Sequence, residues 1–295
     1  MPRPVASSTA YTVQQGILYT ASRKDLGDVV PADLARDVLV ALEATAEGRR
    51  RLAQLGRRRS RVWLRAQEAA VLPGILLHYP VRKVAIARAV EEALRAGATR
   101  VVVLAAGLDL LARRLALAWP DAQFVEVDLP ATQADKRQAL DALGPQPPNL
   151  WLLPADLSQA ALPDLLAGLP VGVGGPTVVV AEALTMYLPA EAQRRLAAEA
   201  AEVCGPSGRF VVTFVRHTLA PGDVGPLLRA YLWFKREDLR SQLDPDEAVA
   251  LLVEAGFSDA AVQTGPELTH DLLGERAPGR PHDAEFLVIA DRASS

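Results

Sequence analysis

The sequence contains few of the residues that define several broad classes of protein. Cysteine occurs once, at Cys204, among 295 residues, which excludes a disulfide framework and a cysteine-rich zinc site. Aromatic residues make up 5% of the chain, and it has no run of about 18 apolar residues that could cross a bilayer. Basic residues do not outnumber acidic ones. The formal net charge of −3 therefore argues against nucleic acid as the main partner.

What remains is the composition of an ordinary globular protein. Half of the residues are hydrophobic and 23% are charged, and the length is sufficient for a large core in one or two domains. Because the first residues lack the apolar segment of a signal peptide, we expect a cytoplasmic protein without a membrane partner. The sequences typical of zinc proteases, serine hydrolases and P-loop proteins are also absent.

The strongest local pattern is the segment 101–109, which reads VVVLAAGLD. Its run of branched apolar residues predicts a strand of a parallel sheet that is buried on both faces. Ala105 and Gly107 leave little side-chain volume at the following turn, where a ligand can reach backbone N–H groups. The next strand ends in Glu126 and Asp128. They follow the turn by about 20 residues, the separation at which an acid meets the hydroxyls of a ribose.

Strand and helix patterns alternate along most of the chain, which predicts an α/β fold with a doubly wound, mostly parallel, seven-stranded Rossmann-like sheet. The predicted strands cover 100–105, 123–127, 149–153, 177–182, 208–214, 259–264 and 284–290. The predicted helices cover 81–97, 109–118, 131–143, 157–168, 189–203 and 245–256.

The two ends of the chain show weaker periodicity. Residues 1–30 suggest an extended arm with one short helix, residues 31–48 a longer helix, and residues 265–282 a polar connection. We therefore predict an N-terminal arm and helical cap over 1–80 and a ligand-binding domain over 81–295. A lid insertion around 215–245 would carry the aromatic side chains of Tyr231, Trp233 and Phe234.

An arginine-rich stretch runs from residue 49 to residue 65. Such a stretch could contact nucleic acid or an acidic substrate. Because the whole chain is acidic, we favour a solvated helical face instead, interleaved with apolar residues that we expect to be buried. These residues are Leu52, Leu55, Val62 and Leu64.

Acidic residues follow four of the predicted strands at their carboxyl ends, where ligands of doubly wound sheets bind. Asp109 and Asp156 taken singly have the positions of helix N-caps. Glu126 and Glu182, however, are poor capping types, so capping does not account for the whole set. The pattern predicts a polar binding site along one rim of the sheet.

These motifs, in this order, resemble the leucine carboxyl methyltransferase family of S-adenosylmethionine-dependent methyltransferases. They are VVVLAAGLDLLARRL, FVEVDLP with Lys136 downstream, ADL at 155–157 and VVVAEALTMYLP at 178–189. The sequence departs from the family at Ala105, where the family's LGAGLD motif usually has glycine. The resemblance implies S-adenosyl-L-methionine as the cofactor and O-methylation of a carboxylate, or of a phenol or enol, in a small molecule or at a protein C-terminus.

The resemblance also implies roles for particular residues. Arg82 would bind the carboxylate of the cofactor, and Ala105 and Gly107 would line its amino-acid portion. Asp128 would accept hydrogen bonds from both ribose hydroxyls, while Asp156 and Leu157 would flank the adenine. Glu182 would face the ammonium or sulfonium region, and Tyr187 would reach the mouth of the acceptor pocket; Tyr187 and Arg82 are the candidate catalytic residues. No metal is implied.

Two other functions share these features. A dinucleotide-dependent oxidoreductase also has a strand, a glycine turn and a distal acid, but its fingerprint needs a third glycine where this chain has Leu110 or Leu111. A cofactor-binding protein without catalytic activity is the second alternative. For a phenol or enol acceptor, His217 or His270 could act as the general base, although both are predicted in surface loops.

Overall fold

The computed structural model describes residues 8–169, 175–219, 223–227 and 240–294. The strands are β1 (Arg100–Leu104), β2 (Gln123–Asp128), β3 (Leu150–Pro154), β4 (Thr177–Ala181), β5 (Arg209–Val215), β6 (Asp259–Thr264) and β7 (Glu285–Asp291). They form one seven-stranded sheet in the order β3-β2-β1-β4-β5-β7-β6. Six of these strands have the same direction, and β7 is antiparallel to them. The predicted seven-stranded, mostly parallel sheet is confirmed.

Helices cover both faces of the sheet and extend beyond it. They are α1 (Ser8–Ala21), α2 (Ala32–Ala44), α3 (Ala46–Leu55), α4 (Arg58–Val71), α5 (Ile75–Arg95), α6 (Leu111–Ala118), α7 (Pro130–Ala142), α8 (Leu162–Ala167), α9 (Ala190–Cys204), α10 (Pro245–Glu254) and α11 (Gly265–Leu273). Short 3-10 helices cover Gly27–Val29, Thr185–Tyr187 and Gly274–Arg276.

The central strands are apolar throughout because both of their faces are buried. Along β1, Val101 and Val103 belong to the core cluster on one side of the sheet. The alternate residues Val102 and Leu104 belong to the cluster on the other side. The strand order reverses between β1 and β4, so the carboxyl ends of these two strands mark the point where doubly wound sheets bind ligands.

The N-terminal part of the chain forms a third packed cluster rather than an extended arm. Tyr11 and Ile17 of α1 are buried together with residues of α2, α5 and α7. The hydroxyl of Thr20 donates a hydrogen bond of 2.8 Å to the carbonyl of Leu76 in α5. Pro80 has no N–H to bind that carbonyl, so Thr20 satisfies it and α5 continues through the proline. The predicted start of this helix at residue 81 was therefore six residues late.

Other predicted boundaries also need correction. The polar connection predicted over 265–282 contains α11 and a 3-10 turn. The helix predicted over 157–168 is restricted to Leu162–Ala167, since a turn held by Asp156 precedes it. The helix predicted over 31–48 ends at Ala44, because the hydroxyl of Thr45 accepts the N–H of Gly48 and begins α3.

Some sequence interpretations fall on parts of the chain that the structure does not describe. The aromatic residues predicted in the lid, Tyr231, Trp233 and Phe234, lie outside the described residues. Within the described ranges, no single helix is both long and apolar enough to cross a membrane. The pair α4 and α5 reaches that length and hydropathy only when counted together, and its helices meet at an angle of 82°.

Candidate functional site

The turn after β1 has a left-handed backbone at two positions. Ala105 has φ of +48° and Gly107 has φ of +54°. The turn directs the N–H of Gly107 at the carboxylate of Asp128, at the end of β2, with a hydrogen bond of 2.6 Å. The other oxygen of Asp128 accepts the N–H of Leu129 at 2.6 Å. The structure thus brings together the turn and the distal acid that the sequence singled out.

Helix α1 lies directly over this turn. The side-chain amide of Gln14 donates a hydrogen bond of 2.9 Å to the carbonyl of Leu108. A Cβ atom at Gly107 would lie 3.3 Å from the Cβ of Ala10, so a larger residue at 107 would press against α1. The N-terminal helical layer therefore forms one wall of the candidate site.

Lys83 joins two of the rim acids. Its ammonium group lies 2.6 Å from Asp109 after β1 and 2.7 Å from Glu182 after β4. Asp109 also caps the following segment by accepting the N–H of Leu111 at 3.0 Å. Sequence reasoning missed Lys83. Its position beside Arg82, on a helix that approaches the same rim, was the available signal.

Arg82 lies next to Lys83 and is buried, with 3% of its side chain exposed. Its guanidinium group contacts Glu182 at 2.7 Å and forms an ion pair with Glu285 at the start of β7. A ring nitrogen of His78 lies 3.2 Å from the same Glu285 carboxylate. Sequence reasoning missed Glu285, although a carboxylate in the strand EFLVIAD is unusual enough to have been noticed.

The charges of this network stabilise one another. Burial acts to raise the pKa of Asp109 and Glu285, but Lys83 and Arg82 outweigh it, so both carboxyl groups have lowered pKa values. Burial acts to lower the pKa of Lys83 and Arg82, and the adjacent carboxylates reverse that effect. These four groups are therefore ionised at neutral pH.

Glu126 is not at the rim, which corrects the sequence interpretation. It lies inside β2, and its carboxylate is 2.8 Å from the ammonium of Lys136, with both side chains 1% exposed. Burial raises the pKa of Glu126 in spite of this cation. Lys136 also donates to the backbone carbonyl of Asp109. Through Lys136 the pair thus contacts the backbone just after the turn that follows β1. Because both side chains are buried, the pair has no direct access to a ligand.

The remaining predicted site residues lie further along the rim. Asp156 is exposed and accepts the N–H of Ser158 at 2.9 Å, and Leu157 packs at the edge of the core. Tyr187 is half-buried at the end of the 3-10 helix Thr185–Tyr187. The backbone of Ala183, just after Glu182, is left-handed with φ of +51°.

The two histidines considered as bases are both exposed. His270 lies on α11 rather than in a loop. His217 lies close to Asp244 and Glu247, but these acids form the capping box of α10. The structure places neither histidine in contact with the turn after β1.

The sheet order, the left-handed turn and the acid at the end of β2 define a Rossmann-like nucleoside-binding class of protein. A solved structure of the same architecture is that of a possible exported protein from Bordetella parapertussis. It has a TM-score of 0.55 and 18% identity, and the alignment covers 97% of both chains, which shows the fold alone.

The family model of leucine carboxyl methyltransferases matches residues 20–201, and the chain belongs to that family. It is similar to proteins with the name "Putative S-adenosyl-L-methionine-dependent methyltransferase". One, from Mycobacterium marinum, is 42% identical over 214 residues, covering 68% of this chain and 66% of the relative. Another, from Mycobacterium tuberculosis H37Rv, is 38% identical over 123 residues, covering 41% of this chain and 39% of the relative. The match therefore spans well under half the length of the second relative.

Proposed function

We propose that the protein is an S-adenosylmethionine-dependent methyltransferase that transfers the methyl group to an oxygen of a carboxylate acceptor. The observation that carries this proposal is the contact between the Asp128 carboxylate and the N–H of Gly107. The contact lies at the strand reversal of a chain that belongs to the leucine carboxyl methyltransferase family. The relatives named as methyltransferases support the same activity.

Asp128 retains the capacity to bind a ribose. A carboxylate has about four lone-pair positions, and the N–H groups of Gly107 and Leu129 occupy two of them. Asp128 is 9% exposed and lies at the carboxyl end of β2, at the rim of the sheet. Two adjacent hydroxyl groups of a ribose fit the remaining acceptor positions.

The electrostatic character of the rim also fits the cofactor. Two basic side chains, Arg82 and Lys83, are outnumbered by four carboxyl groups in the connected network and at the end of β2. The acidic residues are Asp109, Asp128, Glu182 and Glu285. When bound, S-adenosyl-L-methionine supplies a methyl group on a positively charged sulfur. An excess of acidic side chains suits a ligand that carries a sulfonium and an ammonium group.

Each remaining site residue has a proposed role in holding the cofactor. Glu182 faces the ammonium or sulfonium end, oriented by Arg82 and Lys83. Arg82 receives the cofactor's carboxylate while it holds Glu182 and Glu285. Asp156 and Leu157 flank the adenine, and Ala105 lines the amino-acid portion. Tyr187 reaches the acceptor.

A carboxylate acceptor requires little chemistry from the protein. It is already anionic at neutral pH, so it needs no general base, and the protein must mainly align and desolvate it. His217 and His270 are exposed, which gives no support for base-assisted methylation of a phenol. The proposed acceptor is therefore a carboxylate of a small molecule or of a protein.

Calorimetric titration of the full chain with S-adenosyl-L-methionine and, separately, with NADH tests the cofactor. We expect binding of the first alone, weakened at least about tenfold in the Asp128→Ala variant, which corresponds to about 1.4 kcal/mol. The matched control is Asp121→Ala, because Asp121 is exposed outside the site. Binding of NADH alone would contradict the proposal.

Methyl transfer needs a separate measurement. The protein is incubated with cell extract and cofactor labelled in the methyl group, and the product is then treated with mild base. We expect a labelled, base-labile ester together with S-adenosylhomocysteine. Cofactor binding without any labelled product would overturn the enzymatic activity and favour a non-catalytic cofactor-binding protein.

A further inference from the structure

A groove on the N-terminal helical layer is not used by the cofactor site described above. It lies between α1, α3 and α4 and has a volume of about 940 Å³. Three arginines contribute to its lining, together with apolar side chains of α3 and α4. They are Arg50, Arg51 and Arg59 on the basic side and Leu55, Trp63 and Leu64 on the apolar side. We call this space the arginine groove.

Part of the apolar lining of the arginine groove is exposed. Trp63 is 64% exposed, and Leu227, another lining residue, is 55% exposed. Large apolar side chains that cluster at a concave surface are typical of a binding site rather than of a solvated helix face. For residues 49–65 we favoured a solvated helical face interleaved with buried apolar residues. Val62, which we expected to be buried, is instead 63% exposed.

The basic side is organised and carries excess positive charge. Arg51 is fixed by Glu47 at 2.7 Å and by the hydroxyl of Thr12 at 3.2 Å. Arg50 shares the same Glu47 carboxylate at 2.9 Å. Arg59 has no ion-pair partner among the residues that the structure describes. One carboxylate thus contacts two of the three guanidinium groups and offsets one of their three positive charges, so the groove remains cationic.

The groove is separated from the cofactor site by the width of one helix. Thr12 of α1 faces the groove, while Ala10 and Gln14 of the same helix face the turn after β1. A narrower space continues from Thr12 to Tyr79, whose ring lies 5.7 Å from the guanidinium carbon of Arg82. The lining of this narrower space thus includes a neighbour of Arg82, which belongs to the rim where methyl transfer is proposed.

We propose that the arginine groove binds the non-reacting part of the methyl acceptor, an apolar body that carries an anionic group of its own. The anion contacts Arg59 with Arg50, and the apolar body lies against Trp63 and Leu64. This inference rests on the proposed function, because it assigns the acceptor class of that reaction. It predicts an acceptor with two separated anionic positions, one methylated and one held by arginine.

Tryptophan fluorescence of the full chain, titrated with dodecanoate below its micelle concentration, tests the groove directly. We expect a saturable change that is absent in Trp63→Phe, and at least tenfold weaker binding of the uncharged analogue dodecanol. Arg59→Glu is expected to weaken dodecanoate binding at least tenfold. Arg58→Glu is the matched control, because it makes the same charge change one residue away, outside the groove lining.

Several outcomes would overturn the inference. They are equal binding of dodecanoate to Arg58→Glu and Arg59→Glu, equal binding of dodecanol, and a signal that persists in Trp63→Phe. Capture on anionic phospholipid vesicles without binding of monomeric dodecanoate would assign the face to a membrane surface instead. The calorimetric titration with S-adenosyl-L-methionine is independent of this groove, so cofactor binding without dodecanoate binding rejects this inference and leaves the proposed function standing.

Discussion

Ala105 shows how one methyl group can strain a binding turn. Its φ of +48° lies in the left-handed region, where a residue with a Cβ is disfavoured by about 1–2 kcal/mol relative to glycine. The sequence identified this position because the family usually has glycine there. The structure shows that the backbone does adopt the conformation that glycine favours.

Ala105→Gly should therefore stabilise the folded protein by about 1 kcal/mol, because it removes the strain of the left-handed backbone. Urea unfolding measures the change, and titration with S-adenosyl-L-methionine tests whether affinity rises with it. Ala106→Gly is the control: Ala106 is buried at an ordinary φ, so the same change should lower the free energy of unfolding. A loss of stability in Ala105→Gly would contradict the argument.

The position of a residue within its strand separates structural acids from site acids. Glu126 and Asp128 are two residues apart on β2 and share one face of the sheet. Glu126 lies opposite Val103 inside the sheet and forms an ion pair with Lys136. Asp128 lies at the open end and meets the turn. The sequence predicts both acids at the rim, since it shows the alternation but not where the strand ends.

At the scale of elements, the packing of α1 on α5 determines the wall of the candidate site. Gly16 permits this packing, since a Cβ atom there would lie 2.5 Å from the ring of Tyr79, which is 9% exposed. The hydrogen bond from Thr20 to Leu76 fixes the same interface. Helix α1 is therefore held against α5 while its other face covers the turn after β1.

Gly16→Ala should destabilise the protein by about 1 kcal/mol. The overpacking of a close helix interface costs about 1–3 kcal/mol, which exceeds the gain of about 1 kcal/mol in helix propensity. Gly56→Ala provides the opposite case, because Gly56 has helical backbone angles and no atom within 3.8 Å of its added Cβ. Thermal unfolding should show the midpoint falling for Gly16→Ala and rising or staying constant for Gly56→Ala. A rise in both would contradict the role of Gly16.

At the scale of the whole molecule, the sequence predicted the sheet well and the N-terminal layer poorly. The central strands are buried on both faces, so each is a continuous run of apolar residues that can be recognised in the sequence. Helix α1 buries Gln14 and Gln15, whose amides bind the carbonyls of Leu108 and Arg51. The burial of these two glutamines depends on partners that are distant in the sequence. The periodicity of apolar residues therefore did not reveal the full length of α1. Arg82 was likewise identified without Glu285, because the two residues are 203 positions apart in the sequence and meet only in the folded sheet.

The same network of buried groups makes the stability of the whole fold sensitive to acid. His282 is 3% exposed, and one ring nitrogen lies 3.0 Å from the carbonyl of Pro73. Burial, with the nearby His78 adding to it, lowers the pKa of His282 to about 3, although Glu285 opposes the shift. The folded protein therefore keeps His282 neutral where the unfolded chain, with a pKa near 6.5, binds a proton.

Protonation of His282 thus favours the unfolded state. The contribution of the neutral His282 to the free energy of unfolding is therefore complete above about pH 6.5 and declines as the pH falls toward about 3. In that range His282 adds about 1.4 kcal/mol per pH unit to the slope of the free energy of unfolding against pH.

We expect the free energy of unfolding, measured in urea between pH 6 and pH 4, to fall less steeply in His282→Gln than in the wild type by about that amount. Titrating carboxyl groups such as Asp109 and Glu126 are common to both proteins, so the difference isolates the histidine. His270→Gln, the same substitution at an exposed histidine, is the control. Parallel pH profiles for the wild type and His282→Gln would show that His282 is not held neutral by the fold.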